Sequence, residues 1–219
     1  KIHILIFMQS KKQCAEFLLQ IKAIKLQPSN PFTWASGLKS PIYCDNRKSL
    51  SYPEIRNFIR DEFVKIVKNH FGNPDVIAGV ATGAIAQGVL VAQEMNKPFV
   101  YIRSEAKKHG MTNMIEGDIN PGQSVVVIED LISTGGSSLK AVNALREAGC
   151  NVLGMAAIFT YELPKAIEAF EQEDVKLYTI TDYSNLLQTA LEKNYIKDNE
   201  LETLKIWKNS PADWSQKFE

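Results

Sequence analysis

Cysteine is scarce in this chain. Three occur in 219 residues, Cys14, Cys44 and Cys150, too far apart for a disulfide framework or for the paired spacing of a zinc site. A reducing, cytoplasmic setting is expected. Excess charge of one sign is also missing: Lys+Arg and Asp+Glu both number 25, for a formal net charge of zero. That argues against a nucleic-acid binder driven by bulk positive charge, while leaving room for a local patch. No apolar run reaches the length of a membrane span. Neither a Gly-Lys-Ser/Thr phosphate loop nor a G-x-G-x-x-G dinucleotide fingerprint is present, and there is no internal repeat, low-complexity segment or inter-domain linker.

What remains is a chain with 45% hydrophobic and 23% charged residues, the balance of a globular protein long enough for one large domain or a domain with a small hood. Lys1 to Met8 is apolar but too short for a secretory signal. Met8 directly precedes a polar stretch and a helical pattern, so it is expected to be the native start, with residues 1–7 an upstream extension; an added edge strand is the alternative. A domain over residues 8–219 follows.

Apolar residues at Cys14, Phe17, Leu18, Ile21 and Ile24 predict a helix from Lys11 to Leu26. A turn-rich stretch and a short strand at Pro41–Asp45 come next. Ser51-Tyr52-Pro53-Glu54 reads as a capping box with proline in the first turn, opening a helix whose apolar face carries Ile55, Phe58, Ile59, Phe63, Ile66 and Val67. From residue 75 strands and helices alternate: strands at 75–80, 98–102, 124–128, 151–159 and 175–180, helices at 83–96, 136–148 and 164–170. Residues 103–120 are polar with little to build a core, and helical segments close the chain near 186–193 and 200–207. Such alternation implies an α/β fold on a mostly parallel sheet flanked by helices. Its ligand belongs at the carboxyl ends of the strands.

The segment from Val125 through Ile128, Glu129-Asp130 and Leu131-Ile132-Ser133-Thr134-Gly135-Gly136-Ser137-Ser138 stands at such an end. An apolar strand delivers two carboxylates, which accept hydrogen bonds from sugar hydroxyls. A loop of hydroxyls and glycines then opens a helix whose first N–H groups can close on a phosphate. The segment resembles the phosphoribosyl diphosphate (PRPP) binding motif of the type I phosphoribosyltransferases.

Four further patches resemble the branch of that family that uses orotate. Tyr101 to Gly110 holds Arg103, Lys107, Lys108 and His109, the cations a diphosphate leaving group needs. The resemblance implies that this is a flexible catalytic loop closing over a neighbouring subunit's site, with Arg103, Lys107 and His109 contacting PRPP. Relatives with a second Lys after the Arg differ from this chain, which has Ser104 there. Phe32-Thr33-Trp34-Ala35-Ser36-Gly37-Leu38-Lys39-Ser40-Pro41 resembles the family's N-terminal substrate loop, with Lys39 toward the substrates. Gly79-Val80-Ala81-Thr82-Gly83 resembles its pyrophosphate loop, placing Ala81 and Thr82 beside the leaving group. The fourth patch is Ile158 to Pro164. Many relatives carry an Arg near it for the orotate carboxylate, and this chain has no Arg after Arg146. Ser133 is expected to contact orotate. Lys39 and Arg47 are held in reserve for charge compensation, Arg47 being equally readable as a surface ion pair.

The resemblance implies the type I phosphoribosyltransferase fold, with a small hood built from both termini, and a homodimer sharing its active sites. The implied reaction joins orotate to PRPP. Glu129 and Asp130 would hold the ribose hydroxyls, Ser133 to Ser137 would fix the 5′-phosphate, and Leu131 and Ile132 would also belong to the PRPP-binding segment. Mg²⁺ would be carried mainly by PRPP and water, with no dedicated protein ligands. Lys107 and Asp130 would be the catalytic pair. The alternatives are a phosphoribosyltransferase for another base and a PRPP-sensing regulator without turnover. Balanced charge and the lack of a helix-turn-helix pattern count against the regulator.

Overall fold

The computed structural model describes residues 2–34, 36–105 and 114–218, and of residues 2–8 the backbone alone. Helix α1 (Ile2–Gln20) comes first, so residues 2–7 continue a helix rather than add an edge strand. The apolar spacing predicts helix to Leu26, but α1 stops six residues earlier. Lys22 takes a left-handed conformation at φ 54, and Ile24–Leu26 departs as strand β1. A small hairpin of β2 (Phe32–Thr33) and β3 (Lys39–Ser40) follows. Strand β4 (Ile42–Cys44) then returns antiparallel to β1.

Helix α2 (Pro53–Ile66) begins at the predicted proline, whose missing N–H costs nothing in a first turn. The capping box does not form. Tyr52 occupies the cap position without a side-chain bond, because Ser51 is drawn into a 3-10 turn over Asn46–Ser51. A π-type turn, Val67–Phe71, prolongs α2.

The alternating half of the chain supplies β5 (Val76–Val80), α3 (Ile85–Met95), β6 (Phe99–Ile102), β7 (Ile115–Glu116), β8 (Ser124–Ile132), α4 (Gly136–Glu147), β9 (Asn151–Thr160), α5 (Pro164–Gln172), β10 (Leu177–Asp182), α6 (Tyr183–Glu192), α7 (Asp198–Asn209) and α8 (Pro211–Ser215). Six of these strands form one sheet in the order β10-β9-β8-β5-β6-β7. All pairs are parallel except β6 with β7. Strand β7 corrects the reading of 103–120 as coreless: Ile115 is buried against Ile102 on the sheet edge.

Strand β8 also runs four residues past its predicted end at Ile128. Strand β9 is long enough to pair with it there, Leu131 opposite Phe159 and Ile132 opposite Thr160. The two acids therefore sit within the strand, not after it.

Side chains of β8 alternate between two cores, as a strand's period of two requires. Val126 and Ile128 face α1, α2, α3 and α6, while Val125 and Val127 face α4 and α5. The hood is built from both chain ends. Trp34 packs 5.4 Å from Tyr161 and 5.7 Å from Trp207, ring centre to ring centre, and the Lys39 N–H donates to Ser215 Oγ at 2.8 Å. Among the described residues no helix is long and apolar enough to cross a membrane.

The parallel strands have the spatial order β6-β5-β8-β9-β10. The chain winds one way from β5 to β6 and the other way from β8 onward. The carboxyl ends of β5 and β8 thus form a topological switch point, the crevice where open α/β sheets bind ligands.

Candidate functional site

Three loops meet at that crevice. The first, Ala81 to Ala84, joins β5 to α3. It is tied down by Ala81 N–H donating to Ile102 O at 2.8 Å and Ala84 N–H to Val80 O at 3.0 Å. The Ala81–Thr82 peptide is cis. The N–H groups of Thr82 and Gly83 have no acceptor among the described residues, so the turn presents donors to whatever lies above it.

The second is the acid pair with its loop. Glu129 is buried, 5% exposed, with both oxygens engaged. Oε1 accepts the Asp130 N–H at 2.9 Å and Oε2 accepts the Ser138 hydroxyl at 2.8 Å. Burial first, and the charge of Asp130 second, push its pKa up to about 8, against the pull of the Ser138 bond. Asp130 is half-buried and has no ion-pair partner among the described residues. Its carboxylate lies so close to Gly83 that a Cβ there would overlap it, which fixes the distance between the two loops.

Beyond the acids, Ile132 is fully buried in the core, so only its backbone can meet a ligand. Leu131 and Ser133 are half-buried, and Thr134, Gly136 and Ser137 are exposed. Gly135 starts α4 at φ 84, a conformation that favours glycine. No side chain caps the helix, and its first backbone bond is Leu139 N–H to Gly135 O at 2.9 Å. The N–H groups of Gly136, Ser137 and Ser138 are therefore free for an anion, at the positive end of a twelve-residue helix.

The third loop follows β4. Asn46, 2% exposed, donates from Nδ2 to the Asp130 carbonyl at 2.6 Å and accepts from Cys44 Sγ at 3.2 Å. It clips the N-terminal segment to the strand that carries the acids. Lys39 sits on β3 with Nζ 2.9 Å from Thr33 Oγ1, on the hairpin that Ser215 and Trp207 hold in place.

The structure thus brings together Ala81, Thr82, Glu129, Asp130 and the 131–137 loop. Lys39 stands on the hood. Arg103 lies at the end of β6 with Nη1 3.5 Å from Glu116 Oε1. Lys107 and His109 lie outside the described residues. Sequence reading missed the work of Asn46, Gly83 and Ser138. Only Ser138 left a signal, as a hydroxyl in the first turn of the motif helix. Among the described residues no group of three or more His, Cys, Asp or Glu forms a metal cluster. That suits an ion that keeps most of its ligands from substrate and water.

The family model described as phosphoribosyl transferase domain matches residues 50–190. An orotate phosphoribosyltransferase of Phocaeicola vulgatus is 61% identical over 204 residues, covering 93% of this chain and 96% of that one. One from Listeria monocytogenes is 54% identical over 209 residues, covering 95% of this chain and all of its own. Among solved structures, the orotate phosphoribosyltransferase of Aeropyrum pernix superposes with a TM-score of 0.73 at 26% identity, over 84% of this chain and 99% of that one.

Proposed function

Since the chain belongs to the orotate phosphoribosyltransferase family, we infer its reaction: it transfers the 5-phosphoribosyl group of PRPP to orotate, giving orotidine 5′-monophosphate and pyrophosphate in pyrimidine synthesis. The observation that carries this reading is the position of Asp130. Its carboxylate lies against Gly83, beside the free N–H groups of Thr82 and Gly83, and its neighbour Glu129 is tied by Ser138 to the turn whose free N–H groups open α4. That is an acceptor for sugar hydroxyls linked to two anion cradles.

The anomeric carbon loses diphosphate and gains the orotate ring nitrogen through a state with positive charge on the ribose. No side-chain nucleophile is required, so the protein's work is positioning and charge stabilisation. Asp130 accepts a ribose hydroxyl directly. Glu129, held in place by Ser138, accepts another through its remaining lone pairs. The 5′-phosphate lies on the N–H groups and hydroxyls of Ser133 to Ser137, with Leu131 and Ile132 leading into that loop, and Ser133 contacts orotate. Ala81 and Thr82 lie along the diphosphate, with Arg103, Lys107 and His109 supplying positive charge and Lys39 reaching in from the hood. Mg²⁺ would be carried mainly by PRPP and water and would neutralise charge on the leaving diphosphate. Residues 8–219 act as one domain of a cytoplasmic homodimer whose loops serve each other's sites.

The test is the loss of orotate ultraviolet absorbance on adding PRPP and Mg²⁺, with uracil and hypoxanthine in parallel. A PRPP-dependent loss with orotate alone is expected. Tight PRPP binding with no turnover of any base would point instead to a regulator.

A further inference from the structure

Orotate is a uracil ring with one carboxylate, so a site that selects it has to aim a cation at that group. The chain contains no arginine beyond Arg146. The described cations near the crevice are mostly committed. Arg103 faces Glu116 at 3.5 Å. Lys208 Nζ lies 3.3 Å from Glu162 Oε2 and 3.2 Å from Ser184 Oγ. Lys140 Nζ donates to the Ser104 carbonyl at 2.9 Å.

Arg47 is different. Its Nε donates to Asp45 Oδ1 at 2.7 Å and its side chain is 60% exposed. Neither terminal nitrogen has an acceptor among the described residues. An exposed pair of this kind contributes little stability. What it does is fix the guanidinium plane and leave the two-nitrogen end of the fork open, the end that binds a planar carboxylate through two parallel hydrogen bonds. Its place is also set. The preceding residue, Asn46, is bonded to the Asp130 carbonyl at 2.6 Å. After the Asp45 bond, the negative charge of Asp130 is among the influences that raise the Arg47 pKa.

We propose that Arg47 is the specificity-determining residue for the base, reading the orotate carboxylate with its two Nη groups while Asp45 holds it from behind. This rests on the orotate-transfer reading given above, and it puts the cation on the N-terminal segment. The β9 end is closed to this role: Glu162 there is an acid tied to Ser184 and Lys208.

The experiment measures KM for orotate and for PRPP separately in wild type, Arg47→Gln and Arg47→Lys, with uracil as a competing ligand. Loss of a charge-assisted pair is worth about ten- to hundredfold. Arg47→Gln should raise KM for orotate by about that factor, leave KM for PRPP within about twofold, and leave uracil inhibition unchanged, since uracil has no carboxylate. Arg47→Lys should recover part of the loss. Should turnover fall below detection, equilibrium binding of orotate and of PRPP to the same variants makes the same comparison. An unchanged KM for orotate, or a rise for PRPP equal to or greater than that for orotate, overturns the assignment. Wild-type protein that releases no pyrophosphate with orotate would overturn the reaction itself, a separate outcome.

Discussion

The hydroxyl of Ser138 donates to Glu129 Oε2 at 2.8 Å, joining the first turn of α4 to the strand end that carries the acids. The bond makes the carboxylate and the start of α4 one rigid unit. It also leaves Glu129 an acid whose pKa, pushed up to about 8 by burial and by Asp130, lies well above its usual 4.5.

That displacement predicts a pH dependence. A group with a raised native pKa contributes stability that is complete below its unfolded value and is lost as pH rises through the native one. The ligand-free protein should therefore lose stability from about pH 4.5 to about pH 8 relative to a Glu129→Gln variant, which has nothing to ionise there. Urea melts of both proteins across that range give the difference. A difference that is flat or of opposite slope would show that Glu129 is already ionised in the folded chain.

Gly83→Ala should uncouple the two loops of the crevice. The added methyl overlaps the Asp130 carboxylate and has to push it aside. Displacing a reacting group by about 1 Å can cost 10²-fold in rate, so kcat/KM should fall by about that factor. Strand β8 is held along its whole length by β9, and the melting temperature should change little. Activity within a few-fold of wild type would mean that the Asp130 position is not critical.

Lys107→Ala should lose about 10²–10³ in kcat, the cost of removing one aimed donor. If the loop serves the neighbouring subunit, heterodimers of Lys107→Ala with Asp130→Asn should regain activity that neither homodimer has, because one of their two sites keeps both residues. Heterodimers that form and stay inactive would assign the loop to its own chain.

Trp207→Ala should be the most damaging change far from the acids. The indole is fully buried and meets Trp34, Tyr161 and Tyr183 at ring separations of 5.7, 5.6 and 5.3 Å. Such truncations cost about 3–5 kcal/mol, read directly as a shift in the urea midpoint. A shift below about 1 kcal/mol would mean that the hood does not unfold with the sheet.

The parallel core was readable in the sequence because β5, β8 and β9 are runs of small and branched apolar residues between helical patterns, and the acid-hydroxyl-glycine segment lies within about fifteen residues of chain. What escaped reading depends on partners distant in sequence. Strand β8 reaches Ile132 because β9 supplies Phe159 and Thr160. Helix α1 ends at Gln20 because β1 is claimed by β4. Asn46 gained its role from a carbonyl 84 residues away, and Gly83 from a carboxylate on another strand. No local pattern encodes such pairs. Of the cations expected at the diphosphate, Lys107 and His109 lie outside the residues described.

The bond from Lys39 to Ser215 spans 176 residues. At a synthesis rate of roughly 5–20 residues per second, a ribosome delivers the second partner about nine to thirty-five seconds after the first. For most of that interval the emerging β2–β3 hairpin has neither the hydroxyl that fixes Lys39 nor the indole that covers Trp34. The sheet can form and the acids can meet Asn46 while the roof over them is still unmade. Birth of the enzyme is thus ordered in time: the floor of the crevice first, the hood last.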